Sequence, residues 1–192
     1  MKRRTFLYGV GGAASLLVFG GAVKFLDGDG AQGLRPPGGQ DEDRFRSLCL
    51  RCDKCRTVCP EDCVSVSSIE DGILNARLPI LDFHQGKCTF CNECIEACPT
   101  GALEAFDPAV GKIGVAVIDP ERCIAYINNS CDRCDVCPYD AISFDAMKRP
   151  SVDEDACNGC GACTLACTAN VFLSFDGDRR RAIEVVRVER GE

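Results

Sequence analysis

CTFCNECIEACP, residues 88–99, places cysteines at 88, 91, 94 and 98 and a proline directly after the last. Its reading decides what the rest of the chain is for. CLRCDKCRTVCP, residues 49–60, repeats the spacing with Cys49, Cys52, Cys55 and Cys59. CNGCGACTLACT, residues 157–168, repeats it with Cys157, Cys160, Cys163 and Cys167, but Thr168 stands where the proline would be. CIAYINNSCDRCDVCP, residues 123–138, is a variant: Cys123, seven residues, then Cys131, Cys134 and Cys137 at steps of three.

The run C-x2-C-x2-C-x3-C-P is the thiolate pattern that binds 4Fe-4S clusters in bacterial ferredoxins. Three cysteines at steps of three wrap one cubane in a tight loop, and the fourth, a helical turn on, faces a second cubane. Proline after it ends one backbone regime and restricts the residue before it. Zinc ribbons use separated C-x2-C pairs rather than triplets with a fourth, and cysteines three apart in a compact loop are poor disulfide partners. Sixteen cysteines in four sets of four therefore predict four 4Fe-4S clusters. Cys63, the seventeenth, belongs to no set and reads first as a small buried side chain, with an alternative ligand or a redox-sensitive thiol as the other readings.

Composition agrees. The chain has 192 residues, 17 cysteines, 7% aromatics and no Trp, too little bulk for a large apolar core, so the clusters serve as core and their binding is folding energy. Formal charge is −7; an acidic surface argues against nucleic acid and fits docking on a basic protein patch. A catalytic set is not recognisable: His84 is the single histidine, and it reads as a surface or capping residue.

Residues 1–31 open with Lys2, Arg3 and Arg4, then a weakly apolar, glycine-rich run. This is twin-arginine signal architecture, either cleaved or kept as an N-terminal anchor. Export in the folded state suits a protein loaded with clusters in the cytoplasm. Residues 32–43 are a Gly/Pro linker, in which Arg35-Pro36-Pro37-Gly38 is either plain spacer or an extended docking segment. Residues 44–192 form the four-cluster domain, of class α+β: tandem bacterial ferredoxin-like units with short helices and hairpins, repeating every ~30–40 residues.

Within that domain, a short helix is expected over Arg44–Leu48 and strands over Val64–Ile69 and Leu74–Phe83. A hairpin should join Ala102–Phe106 to Ile113–Ile118. Another strand is expected at Tyr139–Phe144, and a closing hairpin at Val171–Val188. The favoured pairing is nested. An inner unit, about 84–145, joins Cys88, Cys91, Cys94 with Cys137, and Cys123, Cys131, Cys134 with Cys98. An outer unit, 44–83 with 146–192, joins Cys49, Cys52, Cys55 with Cys167, and Cys157, Cys160, Cys163 with Cys59. The alternative is sequential, first block with second and third with fourth. Ile124–Ser130 is read as a bulging loop over one cluster, either one from which Tyr126 or Asn128 shields the cubane or donates to it, or a surface insertion of no electronic effect.

The four blocks, Arg3-Arg4 and Arg35-Pro36-Pro37-Gly38, together with the long Cys123–Cys131 gap, resemble the MauM/NapG ferredoxin-type family over essentially the whole chain, most closely its periplasmic nitrate reductase branch. The resemblance implies four 4Fe-4S clusters held by the sixteen cysteines and a place on the outer, periplasmic face of the cytoplasmic membrane. It implies electron transfer from a membrane-bound, NapH-like ferredoxin-type quinol dehydrogenase toward a c-type cytochrome or the terminal reductase. The methylamine-utilisation branch is similar in sequence and serves another pathway. Two departures stand out: Asp135-Val136 give two residues before Cys137 where the family's third block has three, and Thr168 replaces proline. Two other readings use the same cysteines: the iron–sulfur subunit of another membrane-associated oxidoreductase, and a structural protein stapled by clusters without redox work.

Overall fold

The computed structural model describes residues 33–169 and 180–188; the leader and most of the Val171–Val188 hairpin expectation lie outside them. No helix among the described residues is long and apolar enough to cross a membrane.

Among the described residues the helices are short. The longest of these, α1 (Glu42–Leu48), starts where the Asp41 side chain accepts the Arg44 backbone N–H at 3.1 Å, satisfying one of the donors a helix N-terminus leaves unpaired. The others, α2 (Lys54–Thr57), α3 (Glu93–Glu96), α4 (Ile124–Asn128) and α5 (Ala162–Ala166), are one-turn pieces. Among the described residues the strands come as three two-stranded sheets. Val64–Val66 (β1) pairs with Pro79–Leu81 (β2) between the first and second blocks; Pro79 opens its strand, where a missing N–H is tolerated. Val115–Ile118 (β3) follows the second block. Between the third and fourth blocks, Ile142–Phe144 (β4) and Pro150–Val152 (β5) form an antiparallel pair with Ser143 opposite Ser151.

The last strand, Ile183–Val186 (β6), pairs antiparallel with β3, Val115 facing Val186 and Ile118 facing Ile183. This overturns the expected hairpin between Ala102–Phe106 and Ile113–Ile118. Residues 102–106 form no strand, and the apolar face of β3 is covered instead by the chain's distant C-terminal segment.

The chain divides into two compact units. The described part of the smaller is Gly33 and Val66–Leu78. Within it the Ser67 N–H donates to the Leu78 carbonyl and the Arg77 N–H to the Ser67 carbonyl, both at 2.9 Å, while Asn75 Nδ2 donates to the Asp71 carbonyl at 2.8 Å. All four cysteine blocks lie in the larger unit. Its buried groups are small and rich in sulfur: one cluster gathers Leu34, Cys63, Val64, Leu81, Phe83, Phe90 and Cys160, another Val115, Ala141, Cys157, Cys163 and Ile183.

Leu34–Gly39, expected within a linker, is packed into this larger unit. Pro36 and Pro37 are fully buried, and the Leu81 N–H donates to the Leu34 carbonyl at 2.7 Å. Arg35 reaches the Pro79 carbonyl through Nη1 at 3.1 Å and grips Glu42 through Nη2 and Nε at 2.6 and 3.0 Å.

Candidate iron–sulfur sites

The ligand loops share one backbone device. In the first, second and fourth blocks the residues two and four after the leading cysteine are left-handed: Arg51 and Asp53, Phe90 and Asn92, Gly159 and Gly161, with φ between 54° and 78°. Two such residues flanking the middle cysteine curl the chain so that three successive sulfurs turn to one side. A further left-handed residue recurs three positions after the fourth cysteine, at Asp62, Gly101 and Asp140, and turns the chain out of each block. L-residues reach this region at a cost of about 1–2 kcal/mol, so its repetition marks a required shape.

Those loops build walled cavities. Cys59, Cys88, Cys91 and Cys94 line one. Cys123, Cys131, Cys134 and Cys167 line a second, with Ile118, Ala125, Pro150 and Ile183. Cys137, Cys157, Cys160 and Cys163 line a third, with Ala141 and Val152. For the remaining four, Cys49 interacts electrostatically with Cys52 and Cys98, and Cys55 with Cys49 and Cys52. Helices α2 and α3 pack together, bringing the first and second blocks side by side.

The cavities thus gather the cysteines in the sequential rather than the favoured nested arrangement. Cys59 joins the second block's triplet and Cys98 the first's; Cys137 joins the fourth's and Cys167 the third's. The cause is strand topology. The β1–β2 sheet folds block one onto block two, and the β4–β5 pair folds block three onto block four. The segment carrying β3, read as the hairpin of an inner unit, instead joins two complete units.

The third block differs where its sequence does. Its long gap is not a bulging loop: residues 124–128 coil into α4, ended by Asn129 at φ 54°. Tyr126 is not part of the cavity wall. Its hydroxyl donates to the Pro150 carbonyl at 3.1 Å, and the Arg149 guanidinium lies 5.7 Å from its ring centre. The Asn128 side chain accepts from Ser130. Of this helix, Ile124 and Ala125 line the cavity. Arg133, in the same wall, is a charged neighbour that the spacing did not single out.

The donor set fits iron–sulfur clusters. All seventeen cysteines are free thiols. Among the described residues no three Cys, His, Asp or Glu side chains converge tightly enough to hold a single metal ion, as tetrahedral zinc would need with Zn–S near ~2.3 Å. Four sulfurs spread around a largely apolar wall suit a polynuclear group, which supplies reversible one-electron transfer when bound. Burial pushes the Cys55 thiol up to about 11 and those of Cys94, Cys134 and Cys163 up to about 12. Holding iron as thiolates, these groups must release their protons, so assembly is favoured by rising pH.

His84 is at the surface, its Nδ1 2.9 Å from Asp82 Oδ1, as expected. Cys63 is buried as expected, at 2% exposure, but it lines the same cavity as Cys59 and Cys88. Its sulfur lies 3.7 Å from that of Cys59. A hydrogen bond with Cys88, with burial added, pushes the Cys63 thiol up, and the same bond lowers Cys88.

Comparison with known proteins agrees with this geometry. Profiles described as 4Fe-4S binding domain match residues 46–62, 81–104 and 149–172, which hold the first, second and fourth blocks. The class is thus that of ferredoxin-type iron–sulfur proteins. Ferredoxin-type protein NapG of Escherichia coli is 34% identical over 154 residues, 70% of this chain and 65% of that protein. The chain thus matches slightly under two thirds of that relative's length. Methylamine utilization ferredoxin-type protein MauM of Methylorubrum extorquens is 36% identical, covering 71% of this chain and 69% of that protein. Ferredoxin-type protein NapF of Escherichia coli is 30% identical across 75% and 85%. The chain belongs to the MauM/NapG family of ferredoxin-type proteins.

Proposed function

We propose that the sixteen cysteines hold four 4Fe-4S clusters and that the protein relays electrons at the outer face of the cytoplasmic membrane, from a quinol-oxidising, NapH-like partner toward the cytochromes of a periplasmic nitrate reductase. The twin-arginine leader supports export, and the likeness to NapG supports the nitrate branch.

One observation carries the relay reading: the backbone N–H of Cys88 donates to the carbonyl of Cys160 at 2.8 Å. Sites sharing a block must be neighbours, because each lends its fourth cysteine to the other. The first and second sites are so linked, as are the third and fourth. The Cys88–Cys160 bond ties the second site to the fourth, and Cys88 acts electrostatically on Cys160. Phe90 and Tyr139 meet edge to face across the same junction, ring centres 6.2 Å apart. The four sites thus form one unbranched series, first, second, fourth, third. A protein using clusters only as staples has no need of such a series.

The test uses the loaded protein, purified anaerobically. Reversible reduction potentials, and stimulation of quinol-dependent cytochrome c reduction by membranes, are expected. Absence of any reversible potential would overturn the relay reading in favour of a structural role. The likeness to MauM favours one competitor in the pathway alone: methylamine-dependent rather than nitrate-dependent growth would be lost on deleting the gene.

A further inference from the structure

We propose that Cys63 is a resident hydrogen-bond donor to the ligand sulfurs of the second site, tuning the potential of the cluster held there without ligating it. This rests on the reading of Cys59, Cys88, Cys91 and Cys94 as one ligand set.

The geometry is specific to that site. Cys63 is 2% exposed and lies in the cavity wall, its sulfur 3.7 Å from the sulfur of Cys59, and Cys88 lines the same cavity. Val64, Leu81 and Phe90, its neighbours in the same core cluster, offer no side-chain acceptor. The position is rigidly set. The Asp82 N–H donates to the Cys63 carbonyl at 2.8 Å. Gly86 admits the neighbouring backbone so closely that a Cβ there would sit 1.7 Å from the Glu61 carbonyl oxygen.

Bare geometry leaves open which sulfur donates to which; ligation decides it. Cys59 and Cys88, as ligands, are thiolates without a proton, so the single S–H belongs to Cys63. An S–H donor is weak in water, but burial strengthens a hydrogen bond. Hydrogen bonds to cluster sulfurs are among the determinants of potential. The reduced cluster carries one more negative charge, so a donor aimed at its ligands favours reduction and raises the potential. Cys63 is too far along the chain to complete a C-x2-C-x2-C triplet, and Cys59 already occupies the position that reaches this site, as Cys98 and Cys137 do for theirs.

The test compares Cys63→Ala and Cys63→Ser with the wild-type loaded protein, by iron content, redox titration and pulsed EPR of exchangeable protons. Cys63→Ala should keep the full iron content. One midpoint potential should move to a more negative value while the others stay, and one exchangeable proton coupling should disappear. Cys63→Ser, which retains a donor, should restore most of the shift. Loss of about four irons in Cys63→Ala would make Cys63 a ligand and overturn the proposal. So would full iron content with every potential unmoved. Should wild type itself show no reversible potential, the relay reading fails first, and the proton coupling alone then decides whether Cys63 donates.

Discussion

Gly161 concentrates the local demands of these sites. It is left-handed at φ 77°, and a Cβ there would fall 2.1 Å from the ring of Phe83. Gly161→Ala therefore meets both a backbone strain of about 1–2 kcal/mol and a displaced core aromatic. We expect a loss of about 2–4 kcal/mol in all, read as a fall of several degrees in the Tm of the loaded protein, with bleaching of the iron–sulfur absorbance in the same transition. An unchanged Tm would mean that the loop is not held as described. The equivalent positions Asp53 and Asn92 reach the same backbone region with side chains. This much was legible in advance: the spacing alone demanded a curled loop. That glycine is needed in one block and not in the others was not, since the cause is Phe83, far off in sequence.

Among elements, the segment from Leu34 through α1 is the clearest departure from what composition suggests. Glycine and proline read as linker, yet Arg35 and Glu42 form a two-pronged ion pair with side-chain exposures of 2% and 10%, joined by Arg187 at 3.2 Å. The Arg35 guanidinium also sits 5.3 Å from the Phe45 ring centre. Removing one partner of a buried pair strands the other, so Glu42→Gln should destabilise by about 3 kcal/mol, measured by thermal or denaturant unfolding. Burial by itself would raise the Glu42 carboxyl, but the Arg35 hydrogen bond and the charges of Arg35, Arg187 and Arg46 outweigh it and hold the group below its ordinary 4.5. A depressed carboxylate stabilises the fold above its unfolded value and loses that contribution as pH falls through the folded value. The gap between wild type and Glu42→Gln should accordingly be full at neutral pH and narrow below 4.5; a gap that widens with acid would contradict the ion pair. The strands were harder to read than the blocks. Three- and four-residue strands carry little periodicity, and β3 finds its partner in β6, nearly seventy residues away. Nothing local in Val115–Ile118 announces that choice.

Over the whole molecule, the sixteen cysteines stood out from their spacing, while their grouping did not. Complementary blocks joined by an apparent hairpin look alike in sequence whether nested or sequential; the cysteines that line each cavity distinguish them. The grouping can be read through additivity. Cys49→Ala and Cys98→Ala should each cost the same cluster, so the double variant should lose no more iron than either single change, about four atoms. Under nesting the two cysteines serve different clusters, and the double loss would approach about eight. Chelation of iron should also unfold the larger unit, whose buried residues include Cys94, Cys123, Cys157, Cys160 and Cys163, because ligand binding and folding are one equilibrium in so small a core. The central claim, four cubanes in one series, is tested most directly by counting iron and acid-labile sulfide in the anaerobically purified protein. About sixteen of each per chain is the predicted result, and about eight of each would contradict it.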